Sequence, residues 1–167
     1  MIRNGKSYVI NGRGGDNKLE QKGETMDDMR RANLKQLAEY LETVAQDVFD
    51  MENYQLIDGE VPGSSYGVDT LEHNCGTAGC AIGHGPNAGI PALSHESWEG
   101  YSFRCFIPKF NDRYFSPEWL WCFSSDWCNV DNTPQGAAAR IKWVLDYGKA
   151  PADWSKQMNG EAPLCYR

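Results

Sequence analysis

Residues 73–86 read His-Asn-Cys-Gly-Thr-Ala-Gly-Cys-Ala-Ile-Gly-His-Gly-Pro, and nowhere else does the chain set two cysteines and two histidines so close together. Three chemistries are open to such a set. Ahead of a helix N-terminus, Cys75 would have its thiol pKa lowered by the helix dipole, and backbone N–H groups there could hold an oxyanion. His84, His73 or His95 would then act as base and Asp126 would orient it, with Cys80 as the alternative nucleophile. His73, Cys75, Cys80 and His84 are also permitted zinc ligands, but their spacing is not that of a zinc finger, so neither metal nor other cofactor is expected. A glycine-rich turn into a helix can cradle phosphate. Here, however, no Lys follows the glycines and no strand precedes a Gly-x-Gly-x-x-Gly run.

The reading without chemistry is one of packing. Asn74 or Thr77 caps a short helix running to Ile82, and Gly83 to Pro86 end it. Gly76, Gly79, Ala81 and Gly83 let neighbouring elements approach, while Cys80 and Ile82 serve as small hydrophobes. Each glycine costs a helix about 1 kcal/mol against alanine, so tight burial must offset it. Packing leads, and it leaves Cys75 and His84 at the two ends of the segment as the candidate catalytic pair. A ligand would be held by Gly76 and Thr77 together with Asp126, Trp127 and Arg140, through backbone donors, a carboxylate, a stacking ring and a guanidinium. The stretch around Cys75 resembles the cysteine-bearing helix of papain-like proteases, although the distant downstream histidine of that family has no counterpart after His95.

These residues need elements to position them. Residues 1–24 form a glycine-rich arm in which Ser7 to Ile10 could make one short strand. If the arm is ordered, a partner or a second copy must hold it, which leaves a homo-oligomer open. Residues 25–150 form the core domain. Its first helix is capped by Thr25, carries Leu34, Leu37, Ala38, Leu41 and Val44 at helical spacing, and ends near Asp47. Pro91 to Ser97 could form a short helix. Ser116-Pro117 opens a nearly all-apolar one, and Thr133-Pro134 opens the last, which Gly148 stops. Residues 151–167 read as a C-terminal tail. The fold expected is mainly α, or an irregular α+β with the minor N-terminal strand, as a single compact domain around the buried Gly/Cys-rich helix.

Composition limits the function. At 167 residues the chain can bury a core without staples. Its six cysteines, with no apolar leader, are expected as free thiols in a reducing compartment. A net charge of −7 argues against direct nucleic-acid binding. No apolar run is long enough for a membrane span. The aromatic residues from Trp98 to Trp127 read first as core, and second as a surface for a partner. Arg104, Arg113 and Arg140 could each pair with a buried carboxylate or hold an anion.

Three pieces taken in order carry a resemblance. They are Asn33-Leu34-x-x-Leu37-Ala38-x-Tyr40-Leu41 with Phe49-Asp50-Met51, then Cys75-Gly76-Thr77-x-x-Cys80-x-x-Gly83-His84-x-Pro86, then Asn132-Thr133-Pro134-x-x-Ala137-x-x-Arg140-Ile141. Together they resemble a set of small uncharacterised proteins of tailed bacteriophages and some bacteria. The resemblance implies a phage or bacterial origin and a setting in the bacterial host cytoplasm, and it brings no catalytic residues with it. The expected function is a non-catalytic binding protein, a phage accessory factor that binds a host protein or a small ligand. The alternatives are a cysteine-dependent transferase or hydrolase using Cys75 or Cys80 with a histidine, and a virion or structural component.

Overall fold

A computed structural model describes residues 26–52, 79–93, 96–111 and 115–167. Helix α1 spans Asp28–Leu41. Its cap is Asp27, whose Oδ1 accepts from the Arg30 N–H at 2.8 Å; Thr25, the cap expected, lies outside the described residues. The helix also stops earlier than expected. The Thr43 hydroxyl and backbone N–H both bond to the Tyr40 carbonyl, and Val44 bonds to Leu41, so the last turn tightens and closes at Glu42. Ala45 is extended, and a single 3₁₀ turn, Gln46–Val48, leads to Phe49.

Helix α2, Trp98–Cys105, begins where a helix over Pro91 to Ser97 was expected to end. Ser97 is its cap, accepting from Gly100 N–H at 3.0 Å. Glu96 is occupied in the loop before it, receiving Arg104 through two hydrogen bonds of 2.7 and 2.6 Å. Helices α3 (Pro117–Phe123) and α4 (Pro134–Tyr147) start as their sequences direct, with Ser116 and Thr133 capping and proline in the first turn. Gly148 ends α4 at φ 69°, a left-handed conformation that suits glycine. Residues 151–167, expected as a tail, instead carry α5 (Trp154–Met158) and pack on the body of the protein.

Among the described residues there is no strand; a parallel bridge joins Phe49 and Gly79. The architecture is therefore mainly α. Helix α1 packs chiefly on α4, α3 packs on α4 and α5, and α2 packs on α1. Leu34, Leu37 and Leu41 of α1 meet a core that includes Ala137, Ile141 and Val144 of α4 and Trp121 of α3. Most of the aromatic run is core as well: Tyr101, Phe106, Trp119, Trp121, Phe123 and Trp127 are buried, and Phe110 is exposed.

From Gly79 onward the central segment is largely buried, but as turns. Residues 79–85 are all buried, and Ala81 to Gly89 run through consecutive turns with no helix. Hydrogen bonds there alternate in span: His84 N–H to Cys80, Gly85 N–H to Ile82, Ile90 N–H to Gly85. Two features prevent a regular ladder. A Cβ at Gly85 would collide with the Tyr101 ring, so the backbone is pressed against α2 there. Pro86 has no N–H to continue a helix. Gly79, Ala81 and Gly83 are buried and Gly76 lies outside the described residues; no helix forms over residues 79–82.

Candidate functional site

The bridge between Phe49 and Gly79 sets the centre of the molecule. Asp50 N–H donates to Gly79 at 3.1 Å, and Gly79 N–H donates to Val48 at 3.2 Å. His84 packs beneath this bridge at 5% exposure. Its Nε2 is 3.0 Å from the Val48 carbonyl, which can only accept, so Nε2 carries the proton. The ring stacks on Phe49 at a centroid distance of 5.9 Å and lies 6.0 Å from Tyr40. Cys80 is also buried, and burial, helped by the nearby Asp50 charge, pushes its thiol pKa up to about 11. A thiol in that state is protonated at neutral pH and a poor nucleophile. Cys75, Gly76 and Thr77 lie outside the described residues.

Beside Cys80 opens a cavity of about 380 Å³. Helix α3 supplies one wall through Trp119, Leu120 and Phe123, and Phe115 precedes it. The Ser116 cap fixes where α3 begins, and Trp119 Nε1 donates to Ser102 Oγ at 3.0 Å, tying this wall to α2. Helix α2 contributes Glu99, and the chain leaving the central bridge contributes Met51 and Glu52. Phe115 and Trp119 stack at 3.9 Å. Glu52 and Glu99 are exposed, and no described cation pairs with either.

A second cluster gathers around Arg140, which is fully buried. Its guanidinium lies 4.2 Å from the centre of the Trp127 ring and 5.8 Å from that of Tyr166. Nη1 donates to the Tyr166 hydroxyl at 3.0 Å and sits 3.6 Å from Oδ2 of Asp131. Asp131, also buried, accepts from the Tyr166 hydroxyl at 2.9 Å and from the Thr133 hydroxyl at 2.6 Å. Arg167 reaches the same carboxylate at 3.1 Å. Burial pulls the Arg140 pKa down from its ordinary value, while Tyr166 and Asp131 hold it up. Its Nε and Nη2 are buried with no hydrogen-bond partner among the described residues.

No family model matches this chain, and no match was found among curated proteins or solved structures. The candidate residues are therefore placed by geometry alone. Trp127 and Arg140 come together. Asp126 stays at the surface, where its Oδ2 accepts from the Ser124 hydroxyl at 3.0 Å, and His84 belongs to the other, central cluster. Asp131 and Tyr166, which complete the Arg140 cluster, were not legible in the sequence; nothing in the spacing of Asp131, Arg140 and Tyr166 marks them as partners. Glu52 and Glu99 were missed too, since each looks like an ordinary surface residue, whereas Phe115 belongs to the aromatic run read first as core. Cys80, Cys105, Cys122, Cys128 and Cys165 are free thiols. No group of three metal-ligating side chains occurs among the described residues, and no helix there is long and apolar enough to cross a membrane.

Proposed function

We propose that this chain is a non-catalytic binding protein, a phage accessory factor that binds a host protein or a small ligand in the bacterial cytoplasm. The observation that carries the reading is the state of Cys80 and His84. The thiol is buried and protonated, and the imidazole is packed between Phe49 and Tyr40 with Nε2 directed at Val48. Both behave as core groups. The net charge of −7 favours a protein or a cationic ligand over nucleic acid. The sequence resemblance to small phage and bacterial proteins supports the setting.

The test is co-purification of the tagged chain from a bacterial host, read for bound proteins and small molecules at stoichiometric level. It is paired with activity screening of the parent and Cys75→Ala. A bound species and no thiol-dependent turnover is the expected result. Turnover abolished by Cys75→Ala, with circular dichroism and Tm unchanged, overturns the proposal in favour of a cysteine-dependent enzyme.

A further inference from the structure

We infer that residues 161–167 form a strap, hinged at Gly160, that opens as a unit above the buried Arg140–Asp131 pair while the helices stay folded. The movement is independent of what the chain binds.

The strap is held by side chains. The Glu161 N–H bonds back to the Lys156 carbonyl at 2.8 Å. Beyond it, among the described residues, no backbone-to-backbone hydrogen bond joins the strap to the rest. Leu164 and Tyr166 pack inward on the core, whereas Pro163, Cys165 and Arg167 are exposed. The polar attachments come from single residues. The Cys165 N–H donates to Gln157 Oε1 at 2.9 Å, the Tyr166 hydroxyl bridges Arg140 and Asp131, and Arg167 reaches Asp131. Gly160 follows α5 at φ 74°, a left-handed conformation open to glycine, and a Cβ there would meet only Val130, at 3.9 Å. The chain can pivot at this point without moving a packed side chain.

Beneath the strap lies a charge that the closed form leaves partly unsatisfied. The Arg140 and Asp131 side chains are wholly buried, yet the Arg167 side chain bonded to Asp131 is 61% exposed. The pair therefore lies one side chain below the surface. Nε and Nη2 of Arg140, which share one edge of the guanidinium, have no partner while the strap is closed. A buried donor left unpaired costs free energy, and the closed form carries that cost. Lifting Tyr166 and Arg167 admits water to the pair and removes part of it, which places the open form below global unfolding in energy. Helix α4 loses little by this, since it is held chiefly by α1 and α3. The open form presents Trp127 and the ion pair at the surface; the closed form hides them.

The test is native-state hydrogen exchange of the full chain, comparing the amide of Cys165 with those of Ile141 and Val144 in α4. The Cys165 amide should be protected at least about thirty-fold less than the α4 amides, and its opening should hardly respond to low urea. Tyr166→Phe, which removes the bridging hydroxyl and keeps the ring, should lower Cys165 protection by about ten-fold. Ile82→Val, in the central turns, should lower α4 protection by about five-fold and leave Cys165 unchanged. Cys165 exchanging together with α4, or losing equal protection in Ile82→Val, overturns the strap. So does a Cys165 amide with no protection, or Tyr166→Phe without effect on it.

Discussion

The guanidinium of Arg140 is centred 4.2 Å from the Trp127 ring, with both side chains wholly buried. A charge in that position has given up its water. It is kept by the ring face, by Asp131 and by the Tyr166 hydroxyl, which bonds to both ions. An arrangement of this kind is costly to break from one side, because the surviving charge stays buried without its partner.

Arg140→Met should therefore destabilise the protein by about 2–4 kcal/mol, since Asp131 loses its buried counter-ion and keeps only the largely exposed Arg167. Arg140→Lys should cost less, because the charge remains and only the planar stacking on Trp127 is lost. Urea unfolding followed by Trp fluorescence measures both. A Met variant as stable as the parent would show that the pair contributes nothing.

Gly136 should resist replacement by alanine. Alanine ordinarily stabilises a helix by about 1 kcal/mol over glycine. A Cβ at Gly136, however, would fall on the carboxylate of Asp131, which leans over the first turn of α4 to reach Thr133 and Tyr166. Gly136→Ala is expected to lose about 1–3 kcal/mol through this overlap. Gly148→Ala should lose about 1 kcal/mol for another reason, as its φ is 69° and nothing stands near a Cβ there. Thermal unfolding of the two variants compares a steric cost with a backbone cost.

The thiols should divide by burial. At neutral pH, Cys165 is expected to react with a thiol reagent quickly and Cys128 more slowly, while Cys80, Cys105 and Cys122 wait for unfolding. Mass spectrometry of the labelled peptides reads the order, and rapid native labelling of Cys80 would contradict its placement.

Burial also sets an alkaline limit. Cys80 titrates near 9.0 when unfolded and at about 11 in the fold, so between those values the unfolded chain releases a proton that the native state retains. The Cys80 contribution is complete below about pH 9 and is lost as pH rises towards 11. Tyr166 carries the same sign from 10.0 to about 12. Denaturation series from pH 8 to 11.5 should show the decline, less steep in Cys80→Ala.

On the acid side, Glu96 behaves oppositely. Its hydrogen bonds to Arg104 hold its pKa below the ordinary 4.5, so its contribution is present above that value and disappears as pH falls. Glu96→Gln should cost about 1 kcal/mol at pH 7, a figure reduced because the Arg104 side chain is about a third exposed. The difference between variant and parent should close as the solution is acidified below pH 4, which a stability-versus-pH curve shows directly.

The sequence by itself determined the starts of α3 and α4, the end of α4 and the inner face of α1. Ser116-Pro117, Thr133-Pro134 and Gly148 act within a turn of where they stand, and Leu34, Leu37 and Leu41 share a face by periodicity alone. It also pointed to Trp127 and Arg140, though not to their meeting. The stop of α1 at Leu41 is local too, made by Thr43 on Tyr40, but it was not read from the sequence. Only the tertiary structure decided that residues 79–90 would be turns pressed against Tyr101, and that Tyr166 would close over Arg140. The Tyr166–Asp131 bond spans 35 residues and the Asn132–Asp50 bond 82, so neither leaves a local pattern to read. Glu52 and Glu99 likewise share a cavity because α2 and the central bridge pack against α3. A cap is legible because its donor and acceptor are chain neighbours; a buried ion pair or a cavity rim is not, because its parts meet only after the chain has folded.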